Sequence, residues 1–196
     1  MKFYLSIRFF LLTVVLAACG SSAFAQGITW TIDPVHTQAT FQVKHLSMSN
    51  IRGGLSNITG SVVWDPKDIT KDSVNATLDA KTINTGSDYR DKYLKGEDFF
   101  NTDKYPTLTF RSTSVKKAGA GFNVTGDLTL AGVTRSVVLD VEGPAAPQKG
   151  PEGGFVSALS ATTTIKRADF NFGTKYPNAM VSDEVKITID LEMGQK

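Results

Sequence analysis

Glu184-Val185-Lys186-Ile187-Thr188-Ile189-Asp190-Leu191-Glu192-Met193 carries oil on one side and salt on the other. Val185, Ile187, Ile189, Leu191 and Met193 alternate with Glu184, Lys186, Thr188, Asp190 and Glu192. Successive side chains of a β-strand point to opposite faces, so a period of two marks a strand with one face buried. The same period recurs upstream. Val74, Ala76, Leu78 and Ala80 alternate with Asn75, Thr77, Asp79 and Lys81, and Phe41, Val43 and His45 with Thr40, Gln42 and Lys44. Phe122, Val124, Gly126, Leu128 and Leu130 form another set. Val137, Leu139 and Val141 follow the tight Ala131-Gly132-Val133-Thr134 turn, and Phe155, Ser157, Leu159, Ala161, Thr163 and Ile165 make a long later strand.

Nine such runs are visible, and the first two, residues 28–32 and 38–46, are separated by little more than Asp33-Pro34. Read as one broken strand, they bring the count to eight. A slip of apolar phase between Leu55 and Ile58 predicts a bulge leading into Gly60, Val62 and Trp64. One apolar face per strand fits an antiparallel sheet closed into a barrel or folded into a sandwich. Eight strands are the number whose barrel encloses one ligand-sized cavity, or is filled by its own side chains. From Ser87 to Lys95 the pattern changes. Tyr89, Tyr93 and Leu94 fall at helical spacing, with Ser87 as N-cap, Asp88 in the first turn and Gly96 as a stop. The Pro/Gly-rich stretch Gly143–Gly154 reads as one long loop.

The chain of 196 residues begins with Lys2 and Arg8 around a short basic start. An apolar run from Phe9 to Ala18 and the small residues Ala23-Phe24-Ala25 complete the layout of a secretory signal over residues 1–25. The run is half the length of about 20 residues that a membrane-spanning helix needs. The expectation is therefore an exported, periplasmic protein whose working domain is residues 26–196. Leu16-Ala17-Ala18-Cys19 is also a lipobox, so lipidation at Cys19 is the competing reading. That cysteine is the only one in the chain, so no intrachain disulfide can form. Without the signal, 19 basic residues face 19 acidic ones, a balance that favours neither nucleic acid nor an acidic surface.

Sequence motifs for catalysis are sparse. There is no G-x-S-x-G elbow, phosphate loop or H-E-x-x-H. His36 and His45 are nine residues apart, an odd separation that puts them on opposite faces of a strand and argues against a shared metal. Arg52 in Ile51-Arg52-Gly53-Gly54, Arg90 on the predicted helix and Arg167 at a strand end are suited to bidentate contact with phosphate or carboxylate. Gathered at one mouth, they would form a cationic collar.

The segments Trp30–Thr37 (WTIDPVHT), Phe41–Leu46 (FQVKHL), Tyr89-Arg90-Asp91, Asp98-Phe99-Phe100, Tyr105–Thr113 (YPTLTFRST) and Gly126–Thr134 (GDLTLAGVT) resemble, in order and spacing, the YceI family of exported lipocalin-like proteins. The resemblance implies an all-β fold, an antiparallel eight-stranded lipocalin-like barrel with a short helix between strands. It implies a polyisoprenoid quinone precursor or isoprenoid pyrophosphate inside, with fatty acids or fatty amides in some relatives. It implies no cofactor, no metal and no catalytic residues. Two departures bear on the head group: Tyr93 where the family usually has histidine after Arg-Asp, and the segment His45–Gly54 (HLSMSNIRGG) in place of a glycine- and valine-rich version.

The leading expectation is a carrier for an amphiphilic isoprenoid lipid. Its tail would lie against Phe41, Val43, Trp64, Leu78, Phe110, Leu128 and Leu159, and its head would meet Arg52, Arg90, Arg167, His45 and Asp33. Each buried CH₂ supplies about 0.8 kcal/mol, so strength comes from the tail and selectivity from the polar end. Rival readings are a lipid hydrolase or isomerase using His45 or His36 as base, and a ligand-free module of the envelope stress response. Transient membrane contact belongs to the carrier reading, and the oligomeric state, a dimer included, is open.

Overall fold

Twelve residues of β10 (Phe155–Lys166) pair in unbroken antiparallel register with β11 (Glu184–Gln195), from Phe155 opposite Gln195 to Lys166 opposite Glu184. In the computed structural model of the chain, β11 also carries the first strand on its other edge, and this closes the sheet on itself. The structure describes residues 27–195 apart from Pro66 and Glu152; the expected signal over residues 1–25, with Cys19 and the Ala25 cleavage point, lies outside them.

The remaining strands run round the ring. β1 (Ile28–Ile32) pairs with the end of β11 through Ile32 and Met193, and β2 (Gln38–His45) pairs further along the same edge through Phe41 and Ile187. They are two halves of one strand, as the Asp33-Pro34 break suggests. β3 (Ser49–Leu55) and β4 (Ile58–Trp64) are likewise two halves, pairing with β2 and β1. The break between them falls where the apolar phase slips, and Asn57 there takes a left-handed conformation (φ 54°). β5 (Ser73–Asp79), β6 (Thr107–Ala118), β7 (Gly121–Leu130) and β8 (Val133–Glu142) follow in order, and β8 pairs with β10. The result is a closed barrel of eight antiparallel strands, so the sandwich is excluded. The expected Gly143–Gly154 loop is not wholly irregular. Gln148–Lys149 adds a two-residue strand, β9, to the edge of β10.

α1 (Asp88–Leu94) is the predicted helix, its Ser87 hydroxyl accepting from the Arg90 amide. With residues 95–106 and 167–183 it lies at the end of the barrel where β2 turns into β3. At the other end Trp30, Ile32 and Met193 are at most 2% exposed and pack with Ile58, Val62 and Leu191 into a solid plug.

Two glycines with positive φ separate sterics from conformation. At Gly60 (φ 141°) a Cβ would stand 2.0 Å from the Asn75 carbonyl oxygen, whereas at Gly119 (φ 55°) it would meet nothing within 4 Å. Gly119→Ala should cost about 1 kcal/mol, the left-handed penalty alone. Gly60→Ala adds a backbone clash inside the sheet and should cost about 3 kcal/mol. Urea unfolding of the two variants checks the difference; equal losses would mean that β5 leaves room for a Cβ at position 60.

Candidate functional site

Inward-facing Leu78, Leu128, Val137, Leu159, Val185 and Ile187 are only half-buried, although strands surround them. Their remaining exposure is to a cavity of about 420 Å³ inside the barrel. That volume lies within the range of about 300–1,000 Å³ typical of small-molecule sites. At about 24 cal/mol per Å³, a dry void of this size would forfeit on the order of 10 kcal/mol, comparable to the whole stability of a domain. Self-filling side chains would be the cheaper solution for stability alone.

The wall is apolar except near one end, and none of its residues is Asp or Glu. Phe41, Val43, Leu78, Phe110, Leu128 and Leu159 all stand on it. Trp64 does not: it walls a separate recess of about 40 Å³ with Val62 and Val74. The alternation that made Trp64 a tail-lining candidate is right for Val62 and fails two residues later, where β4 leaves the main cavity.

The five head-group candidates separate. Arg90 and Arg167 reach the cavity wall, as does His45 at the rim. Arg52 faces outward. Phe41 pairs with Gly53 and Val43 with Ile51 on the inner face, which leaves Gln42 and Arg52 together outside. The stretch read as a Gly-rich loop is a strand, and the period counted from Ile51 puts Arg52 on its far face. Asp33 is also outside the cavity. The expected three-arginine collar is therefore two arginines, and these two are built differently.

Arg167 is 4% exposed, and its five N–H groups meet five carbonyls. Nε donates to Ser182 (2.9 Å), Nη1 to Phe172 (2.9 Å) and Gly173 (2.8 Å), and Nη2 to Tyr176 (3.4 Å) and Val181 (2.7 Å). A guanidinium has no sixth donor. Its charge reaches the cavity, but its hydrogen bonds fold residues 171–182 into a cap. Burial pulls its pKa down from the usual value and Asp183 opposes that shift.

Arg90 has donors to spare. Its Nε donates to the Thr85 hydroxyl and its Nη2 to the Thr85 carbonyl, both at 2.7 Å. The Thr85 hydroxyl in turn donates to Asp91, which also accepts from the Thr85 amide at 2.8 Å. Asp91 thus fixes Thr85, and Thr85 aims Arg90, with three N–H groups left without a partner among the described residues. No sequence signal pointed to Thr85, because its contacts follow from the turn that enters α1.

Over this end lies a lid of rings. Phe99 stacks on Tyr176 (5.3 Å between centroids) and meets Tyr93 and Phe172 edge-on, while Phe100 meets Phe172. A hydrogen bond between the Tyr93 and Tyr176 hydroxyls and an ion pair between Lys175 and Asp98 tie the helix side of the lid to the 171–182 cap. Tyr93 (45% exposed) and Met180 (42%) belong both to the cavity wall and to the surface, so the cavity reaches solvent between them.

His36 and His45 do face opposite sides. On the outer wall, His36 Nδ1 lies 2.9 Å from Asp33 and 3.8 Å from Glu192 of β11. Ligand atoms of these three lie within 4.8 Å of one another, the spacing of a cation site, and the direct His36–Asp33 hydrogen bond accounts for the grouping without an ion. The hydrogen bond holds Asp33 below its ordinary value and raises His36 above 6.5, with Glu192 adding to the second shift.

An eight-stranded antiparallel barrel whose apolar cavity opens beneath an aromatic lid is a hollow barrel of lipocalin-like build. The chain belongs to the family of the YceI-like domain, which it matches over residues 30–193. It is 38% identical over 172 residues to a UPF0312 protein of Photorhabdus laumondii, covering 88% of each chain. Burkholderia cenocepacia BcnA superimposes with a TM-score of 0.73 at 27% identity, over 82% of this chain and 98% of that one. A polyisoprenoid binding domain from Saccharophagus degradans, implicated in plant cell wall breakdown, shares the fold with a TM-score of 0.61 at 16% identity, over 85% of this chain and 98% of that one.

Two outcomes follow from the arginine and histidine geometry. Arg167→Met should strand five carbonyls, lower stability by 3 kcal/mol or more, roughly, and remove amide-exchange protection from residues 171–182 first. Unchanged protection there would mean that the cap does not depend on Arg167. For His36 and Asp33 the sign is set by both shifts. The raised His36 value contributes stability that is full below its unfolded value and lost as pH rises through the folded one. The lowered Asp33 value contributes above its unfolded value and is lost as pH falls through the folded one. The pair therefore stabilises most between about pH 4 and 6.5. NMR titration should find the His36 midpoint raised in the parent and brought down by Asp33→Asn.

Proposed function

We propose that this chain is a periplasmic carrier for a long-chain amphiphile of isoprenoid type, held tail-inward in the barrel with its head group beneath the lid. The observation that carries this reading is the 420 Å³ cavity. Its wall is apolar except near the open end, none of its lining residues is Asp or Glu, and Arg90 stands at that end with donors not taken up among the described residues. An apolar chain enters such a space for about 0.8 kcal/mol per CH₂. Arg90 then selects an electron-rich head, and the unspent charge of Arg167 supports it without touching it. The shared barrel of the Saccharophagus polyisoprenoid binding domain supports the cargo class. The basic start, apolar run and Ala23-Phe24-Ala25 of the N-terminal segment support export.

A fatty acid is the second reading, because the free edge of Arg90 also suits a carboxylate. Binding is favoured over turnover for a geometric reason. The oriented histidine, His36, is outside the cavity, and the cavity histidine, His45, has no side-chain partner among the described residues to set it as a base.

Native mass spectrometry of protein purified from its own compartment without detergent should show a co-purifying isoprenoid mass. A fatty acyl mass would transfer the assignment to the second reading, and protein free of lipid in every preparation would end both. With defined probes, Arg90→Met should weaken binding of a long isoprenoid pyrophosphate about tenfold or more while leaving the matching isoprenoid alcohol within about twofold.

A further inference from the structure

Nine large apolar side chains are conspicuously exposed among the described residues, and five of them gather at the lid end: Leu46, Met48, Tyr89, Tyr93 and Met180. Leu46 (47% exposed) and Met48 (75%) form the tip of the β2–β3 hairpin, and the Leu46 amide donates to the Met180 carbonyl at 2.9 Å. This tip is therefore joined to the mouth of the cavity. The turn is unusual. Leu46 and Ser47 both have positive φ, 50° and 57°, where hairpin turns prefer Asn or Gly. A leucine held in left-handed backbone at an exposed tip works against stability, and strain of this kind points to a use.

The hairpin itself carries only cations, and Asp183 and Glu184 follow Ser182, which hydrogen-bonds Lys44. Lys44 and Arg52 flank it, both exposed and without an ion-pair partner among the described residues. No Asp or Glu occurs between Asp33 and Asp65, or from Phe170 to Ser182. Asp65, Asp68, Asp72 and Glu142 belong to the opposite end of the barrel, and several acids of the lid end are engaged: Asp98 pairs with Lys175, Asp91 accepts from Thr85, and Asp183 accepts from the Ala168 amide. Apolar tips flanked by cations are the signature of an interfacial contact with an anionic lipid surface.

We infer that the β2–β3 hairpin docks the mouth of the barrel on a bilayer carrying anionic head groups, with Leu46 and Met48 entering the interface and Lys44 and Arg52 above it. Met180 completes the contact at the rim. In this position the cavity opens toward the acyl region, so a lipid can pass between membrane and barrel without crossing water. The inference deepens the carrier reading and rests on it for its purpose, but the docking step itself needs no cargo.

The test uses delipidated mature protein and vesicles of phosphatidylcholine with or without phosphatidylglycerol. Parent protein should sediment with the anionic vesicles, and added salt should weaken this binding. Leu46→Ser with Met48→Ser should reduce binding about tenfold. Lys44→Gln with Arg52→Gln should remove the preference for phosphatidylglycerol. Phe155→Ser, an exposed apolar site at the other end, should change nothing. Leu46→Asn gives the sharpest reading, because asparagine tolerates left-handed backbone: its melting temperature should rise while its vesicle binding falls. Parent protein that ignores both vesicle types, or variants that bind like the parent, would overturn the inference. So would a parent dimer made monomeric by Leu46→Ser with Met48→Ser in the absence of vesicle binding, which would make the tip a contact between two copies. Because no cargo is present, a positive result stands even if the isoprenoid assignment fails, and a negative one leaves that assignment intact.

Discussion

β11, paired along both of its edges, is the constraint on which everything else depends. Neighbours in the ring follow one another in the chain except at one seam, where the last strand meets the first and the sheet is left with no free edge. Because β11 carries β10 on one edge and both halves of the first strand on the other, its twelve residues hold the ring closed. Closure sets the diameter, and an eight-stranded ring leaves an interior that side chains can either fill or spare. Here Trp30, Ile32 and Met193 fill one end and smaller, half-buried aliphatic groups leave the other hollow.

Polarity is confined to the hollow end by two devices that use arginine in opposite ways. Arg167 spends all five donors on the backbone of the cap, so the price of its burial is met by carbonyls that would otherwise be orphaned. Arg90 is aimed by Thr85 and Asp91 and keeps donors free. One guanidinium builds the lid over the cavity, and the other faces what the lid encloses. The aromatic rings and the Tyr93–Tyr176 hydrogen bond join the two halves of the lid.

Several parts of this arrangement were readable before any fold was known. The alternation in residues 184–193 identifies β11, Ser87 identifies the start of α1, and the Leu55–Ile58 phase slip locates the break between β3 and β4. These are local properties, decided by side-chain period and by the unsatisfied amides of a helix end. At Arg52 two glycines give a strand the look of a loop, although the period from Ile51 sets its outward face. Trp64 differs for another reason: where a cavity stops along an inward face depends on neighbours far away in the chain.

From the amino-acid order alone came an antiparallel β protein with one apolar face per strand, a capped helix and histidines on opposite sides, because periodicity and capping act over a few residues. Only the tertiary structure decided that the interior is hollow, that Arg90 faces it while Arg52 does not, and that Glu192 meets Asp33 and His36. Those outcomes depend on ring closure and register, which bring together groups more than a hundred residues apart and leave no trace in the local pattern of either.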